Sequence, residues 1–499
     1  MADQDNKTQA PAKGAAPAAA ASGDLLDNIL SKGKLVLDPS QTDYAKDLLS
    51  SYVQEVLQAG GGAVNKDAVA FINQQISGID ALLGAQLDEI LHNDKFRALE
   101  GSWRGLSYLV MNSFTSADLK IRLMNASKQE IADDLEKAVE FDQSALFKKI
   151  YEEEYGTFGG QPYSCLIADF YFKATPADAE IATKLSNVAA ASHAPLITGV
   201  DPSVFNLDSF TDLGKPRDLS KVFDSLDKIK WNSLRETEDS RYINFVLPRV
   251  LIREPYGPDT NPVEGLNYTE TVDGTSQNTF TWANAAYMLG QRITNAYFLY
   301  GWTAAIRGVE GGGLVEDLPV YTFHTTDGDL ALKCPTEIAI TDRREKELSN
   351  LGFIALCHCK GTDKAAFFGA QTSHKPKVYN TADATANANI SARITYLLAA
   401  SRFAHYIKVM MRDKIGSFMT GGEIKTYLQT WISNYVLLND NAPQDVKARF
   451  PLREARVDVF DVPGDPGSYR ATVFLRPHFQ LEDLTASIRL VAKLPKAKG

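Results

Sequence analysis

A chain of 499 residues, 44% apolar and 23% charged, is long enough for two or three domains with their own cores, and that balance excludes a mostly disordered polymer. No apolar run approaches the length of about 18 residues that a membrane helix needs, and the leader lacks the basic start and Leu-rich core of a secretory signal. A net charge of -10, with bases interleaved among acids, argues against nucleic-acid binding, and four scattered cysteines (Cys165, Cys334, Cys357, Cys359) make no disulfide framework. The composition reads as a cytoplasmic protein.

Residues 1–21 are Ala/Pro-rich and aperiodic, a flexible leader. A short amphipathic helix is expected at 24–31, with Asp24 at its positive end, Leu25, Leu26, Ile29 and Leu30 on one face, and Gly33 as its stop. Two turns of helix are unstable alone, so this one needs a surface to dock on. A second helix starts after Pro39-Ser40 and carries Tyr44, Leu48, Tyr52 and Val56; a third runs over about 66–91. The first hundred residues are therefore a helical module.

Beyond Trp103 the pattern alternates. A strand at 163–169, an Ala-rich helix at 176–192 and a strand at 195–200 read as a strand-helix-strand unit. Strands follow at 243–247, near Ile338 and near Ile354, with helices at 284–299 and 342–350, so an α/β core is the simplest account. One long helix is expected over 386–415 and another over 423–438. Strands at 456–460, 471–475 and 487–494, separated by Pro-Gly-Asp-Pro-Gly turn chemistry, close the chain in a small β-rich domain. The organisation is thus a leader (1–21), a helical module (22–100), an α/β domain (101–380) and a C-terminal domain (381–499) within a mixed α+β fold.

Catalytic patterns are missing. Gly308-Val-Glu-Gly-Gly-Gly313 has no Lys-Ser/Thr ending and is followed by Glu316 and Asp317, so a close backbone contact explains it better than a phosphate loop. Cys357-His358-Cys359 on one strand cannot close a metal site without distant ligands such as Cys334 or His374. The run Arg235-Glu236-Thr-Glu238-Asp239-Ser-Arg241 beside Trp231 and Tyr242 reads as salt-bridged structure rather than paired acid-base carboxylates. Catalytic, cofactor and metal residues are accordingly read as none. The densely charged, aromatic-laced strings at 231–242, 335–348 and 356–363 read instead as assembly surfaces.

Those strings, with Phe96-Arg-Ala-Leu-Glu-Gly-Ser-Trp-Arg-Gly-Leu106, Gly311-Gly-Gly-Leu-Val-Glu-Asp-Leu-Pro319 and Ser401-Arg-Phe-Ala-His-Tyr406, closely resemble the large subunit of the bacterial type VI secretion contractile sheath (TssC/VipB, EvpB-type), a relative of phage tail sheaths. The likeness runs from about Leu25 to Leu494. It implies a contractile tail-sheath-like core and a non-enzymatic subunit that pairs with a small sheath subunit (TssB/VipA-like). It also implies a helical polymer with other copies of itself around an Hcp inner tube, on a baseplate, recycled by a Clp-type AAA+ ATPase. The segment matching that ATPase's recognition helix is Asp24, Leu25, Leu26, Ile29 and Leu30. Intersubunit strand exchange is expected at Val473, Phe474, Leu475, Ile488, Leu490 and Val491. A non-polymerising adaptor and an α/β enzyme are the alternatives.

Overall fold

The computed structural model describes residues 39–58, 68–215, 218–325, 327–464, 468–478 and 480. The helix expected at 24–31 and the strand expected at 487–494 lie outside them.

The chain divides into two compact units, 1–83 and 84–499. In the first, α1 (Thr42–Gln58) follows the turn at Pro39-Ser40, with Asp43 in its first turn, and α2 (Ala68–Leu91) runs on past Leu83. Both agree with the expected helices.

The second unit opens with the rest of α2 and with α3 (Asp94–Met111), whose Asn93 cap accepts from the Lys95 amide at 3.0 Å. Its glycines explain part of the Phe96–Leu106 string. A Cβ on Gly101 would overlap the Trp282 carbonyl oxygen, and one on Gly105 would sit 2.5 Å from the Tyr287 ring, so only glycine lets α3 lie against these elements. From the same helix, Glu100 accepts from the buried Arg253 at 2.9 Å. Arg253 also reaches Glu270 at 2.6 Å, and Thr281 donates to Glu100 at 3.0 Å, so the buried charges are mutually paired.

The central sheet has six strands: β1 (Leu166–Phe172), β2 (Leu196–Val200), β3 (Ile243–Leu247), β4 (Leu314–Val315), β5 (Phe353–His358) and β6 (Ala365–Phe367), in the order β1-β2-β3-β5-β6-β4. The first four in that order are parallel and the last two are antiparallel additions. The expected strand-helix-strand unit is β1, α4 (Pro176–Ala191) and β2, with Thr175 capping the helix and Pro176 in its first turn. The sheet is covered on both faces, so strand parity sorts its side chains. Phe245, Phe353 and Ala355 join Phe172, Phe205 and Trp231 on one side. Val246, Ile354 and Leu356 join Met288 and Ile293 of α5 (Ala285–Tyr300) on the other.

Three expectations change. No strand forms at Ile338: Thr336 makes only an isolated bridge to Val250, because Pro335 has no N–H to extend a ladder and the segment turns into α6 (Asp342–Asn350). The single helix expected over 386–415 is two, α7 (Ala382–Ser391) and α8 (Ile394–Asp413). At the break the Ala392 carbonyl accepts from the Thr372 amide at 3.0 Å and the Ile394 amide donates to Ala370 at 2.9 Å, so the neighbouring segment takes the groups a continuous helix would use. The helix expected to reach Leu438 is α9 (Gly421–Ser433), started by a Thr420/Glu423 capping box. It stops early because Tyr435 and Leu437 exchange hydrogen bonds with Leu452.

After α10 (Gln444–Arg449), β7 (Leu452–Asp461) and β8 (Tyr469–Pro477) form an antiparallel hairpin with its own core, in which Val457 meets Ile424, Leu428 and Ile432 of α9 beside Trp302 and Phe403.

Candidate assembly surface

The hairpin is buried on one face only. Along β8, half-buried and exposed residues alternate without a break. Val473 and Leu475 therefore pack toward the core under α9, while Phe474 points outward and is 48% exposed.

Its two edges differ. On β7 the Val457 amide donates to Gln429 Oε1 at 2.9 Å, and Gln429 Nε2 donates to the Ala455 carbonyl at 3.1 Å, so one glutamine of α9 takes an outward donor and an outward acceptor of that edge. Because Ala455 and Val457 turn those groups away from β8, the alternation of an antiparallel pair requires their partners Leu475 and Val473 to turn theirs away from β7. No strand pairs with that far edge of β8 among the described residues. Two of the three residues expected here, Val473 and Leu475, thus turn backbone groups toward an edge with no strand partner among the described residues, whereas Phe474 spends its backbone on Arg456. Gln429 is a contributor to this edge that sequence reasoning misses. A polar residue on an amphipathic helix carries no signal until the strand beside it is known.

The three charged, aromatic strings read as assembly surfaces supply mainly the interior of the subunit. Trp231 is 1% exposed and stacks on Phe245 with centroids 4.9 Å apart. Arg235 is buried and donates to the carbonyls of Ser373 at 3.0 Å and Asn350 at 3.1 Å, and burial pushes its guanidinium down to about 10. Ser240 sits at 3.2 Å from His374, and Thr336, Glu337 and Leu356 are buried. The exceptions are α6, whose Asp342 and Arg343 face solvent, the turn at Cys359, Lys360 and Gly361, and the exposed Glu236 and Glu238. The strings are dense because buried polar groups must each find a partner.

Nothing in these strings assembles an acid-base pair. Glu238 is engaged by Arg241 and, at 3.3 Å, by Lys377. Cys357 is buried and Cys359 exposed, so the two thiols do not converge. No cluster of three or more His, Cys, Asp or Glu side chains suited to a metal occurs among the described residues. Beside His358, burial pushes the Cys334 thiol up, but His358 and the Thr336 hydroxyl outweigh it and leave it lowered. The glycine loop is the expected close contact: Gly308 donates to the Phe367 carbonyl at 2.7 Å, Phe367 donates back to Gly313 at 3.0 Å, and a Cβ on Gly313 would meet the Phe367 oxygen at 2.6 Å. Among the described residues no helix is long and apolar enough to cross a membrane.

Two family models cover most of the chain: the EvpB/VC_A0108 tail sheath N-terminal domain matches residues 73–374, and the EvpB/VC_A0108 tail sheath gpW/gp25-like domain matches residues 383–494. A type VI secretion system sheath protein, TssC1 of Pseudomonas aeruginosa, is 50% identical over 441 residues, 87% of this chain and 88% of that protein. The helical sheath of the anti-feeding prophage in its contracted state aligns over 62% of this chain and 66% of its own at 12% identity, with a TM-score of 0.30. The length and level of the match to TssC1, with both tail-sheath models in register along the chain, show that this protein belongs to the VipB/EvpB family and is a structural, large-subunit sheath protein of a type VI secretion system.

Proposed function

We propose that the chain pairs with a small sheath subunit in the bacterial cytoplasm. Together they polymerise into a helical tube around an Hcp inner tube, on a baseplate, and contract to drive that tube and its effectors outward. The observation that carries the linkage is the asymmetry of the C-terminal hairpin: Gln429 plugs the edge of β7 while the edge of β8 at Val473 and Leu475 stays open to a further strand. Ile488, Leu490 and Val491 are the apolar residues of the segment that would be exchanged between neighbours. Strand links of this kind suit contraction, since a tether of several backbone hydrogen bonds survives while packed faces slide between two arrangements.

The subunit itself performs no chemistry in this reading, and the energy for disassembly comes from a Clp-type AAA+ ATPase that grips Asp24, Leu25, Leu26, Ile29 and Leu30. The domain plan keeps residues 22–100 as a helical module, 101–380 as the sheath core and 381–499 as the linking domain. The change of family model between residues 374 and 383 supports the last boundary.

The test is negative-stain electron microscopy of the chain coexpressed with the small sheath subunit. Hollow tubules that disappear when residues 487–499 are deleted are the expected result. Discrete particles from the intact pair would overturn the polymer reading.

A further inference from the structure

His358 stands between two cysteines in the sequence, yet the thiol it meets in the fold is a third. It is the last residue of β5, and strand parity turns it to the face opposite Cys357. It hydrogen-bonds Cys334, the residue that follows the short strand Leu330–Lys333. The imidazole is also held from its far side, where Nε2 lies 2.8 Å from the Thr362 carbonyl. A carbonyl only accepts, so Nε2 carries the proton of the neutral ring and Nδ1 is a bare acceptor, the state a base requires.

The sulfur has a second helper. The Thr336 hydroxyl lies 3.2 Å from Sγ and 2.8 Å from the Ile338 carbonyl, so it can turn its hydrogen from one to the other as the sulfur becomes charged. Burial pushes the Cys334 thiol up and the His358 imidazole down, but their pairing reverses both and leaves the thiol lowered and the imidazole raised. Opposite shifts of this kind favour a thiolate beside an imidazolium. Lys333, buried over the Phe280 ring at 4.7 Å, adds a positive charge that interacts with the sulfur. The other thiols are differently placed. Burial pushes Cys165 up to about 11 and, with Glu345 and Asp342 acting in the same direction, Cys357 up to about 12, while Cys359 is exposed on a turn. Cys334 is half-buried, which suits a small oxidant better than a bulky one.

We propose that Cys334 is the peroxide-reactive thiol of this chain, with His358 as the base that draws off its proton. The Sγ–H proton passes to His358 and the sulfur attacks one oxygen of hydrogen peroxide, so that an S–O bond forms as the O–O bond breaks. The departing oxygen takes the proton back from His358 and leaves as water. The product is a sulfenic acid, the sulfur being oxidised and the peroxide reduced by the same electron pair. Oxidation therefore lands on a segment tied to the core, since Thr336 bridges Val250 and the Pro335 carbonyl accepts from the Leu251 amide at 2.8 Å.

The purified full-length chain tests this with no sheath partner present, so the outcome is independent of the polymer reading. The chain is given limiting hydrogen peroxide at neutral pH, the remaining thiols are alkylated after unfolding, and each cysteine peptide is counted by mass spectrometry. Cys334 is expected to be lost first, with the gain of a single oxygen. H358Q should slow that loss by about 100-fold, the lower end of what a positioned base contributes. Raising the pH to about 9, where a thiol ionises unaided, should restore it. In the parent chain the rate at Cys334 should level off below that pH, a readout that needs no variant and decides alone if H358Q unfolds. Loss of Cys359 ahead of Cys334, a parent rate that still climbs through pH 9, or an H358Q rate equal to the parent's at neutral pH each overturns the proposal.

Discussion

The central sheet and the C-terminal hairpin solve opposite problems with the same strand chemistry. In the sheet, β2 and β3 are buried at every position, so each side chain has a fixed neighbour on one face or the other. In the hairpin only alternate residues of β8 pack inward, and its far edge has no strand partner among the described residues. The first arrangement holds each side chain in place, and the second suits the strand exchange proposed above. Substitutions in the sheet should therefore be read in stability, and substitutions at the hairpin edge in assembly.

The largest stability effect is expected from Trp231→Ala. This side chain is 1% exposed and stacks between Phe245 and Phe353, so truncation should cost about 3–5 kcal/mol in chemical denaturation. A loss below about 1 kcal/mol would mean the aromatic cluster is not the keystone of that face.

The next effect depends on pH. His405 of α8 is buried, with Nε2 at 2.9 Å from the Ser192 carbonyl, and burial lowers its pKa to about 4 from an ordinary 6.5, with Arg402, His193 and Lys408 acting in the same direction. A histidine held neutral in the folded state takes up its proton more readily when unfolded. Its contribution is intact above pH 6.5 and is lost as pH falls toward 4, a span worth about 3 kcal/mol. H405Q keeps a donor for Ser192 and should flatten that part of the stability curve relative to the parent chain. Parallel curves would show that other groups carry the acid sensitivity.

The parallel part of the sheet is legible in the sequence, whereas the short strands at Leu314–Val315 and Ala365–Phe367 are not anticipated. The expected strand at 243–247 and helix at 342–350 coincide with β3 and α6, because both are bounded by residues that must start or stop them. Periodicity fails where a neighbour intervenes: Ala392 lies inside a continuous helical pattern, yet its carbonyl is taken by Thr372. The charged strings mislead for a related reason. Arg235 and Glu337 look solvent-facing by residue type, but paired polar groups can be buried as tightly as apolar ones. At the hairpin, alternation is enough to locate β8, whereas the blocked edge depends on Gln429, distant in sequence, and is not readable.

A smaller loss is expected at the helix that supports the hairpin. Thr420→Ala removes the capping-box acceptor of the Glu423 amide and the hydroxyl that donates to Glu423 at 3.0 Å, which should cost about 1 kcal/mol. Hydrogen exchange should show the first turn of α9 opening more often, with exchange in β2 and β3 unchanged. Equal loosening of the central sheet would mean that the two regions unfold as one.

The smallest effect on the subunit should be the most damaging to the polymer. Val473→Pro deletes one amide hydrogen that points away from β7, and proline is tolerated where a strand has no partner for its N–H. The hairpin ladder stays whole, so the folded chain should lose no more than about 1 kcal/mol. Phe474→Pro, one residue on, deletes an amide that belongs to the Arg456 pair inside the hairpin and should unfold β8. If an incoming strand uses the open edge, Val473→Pro abolishes tubules at near-parental Tm, whereas Phe474→Pro abolishes them by destabilising the subunit. Tubules that form normally with Val473→Pro would place the link elsewhere, because the substitution removes a donor of that edge while leaving the hairpin ladder to β7 whole.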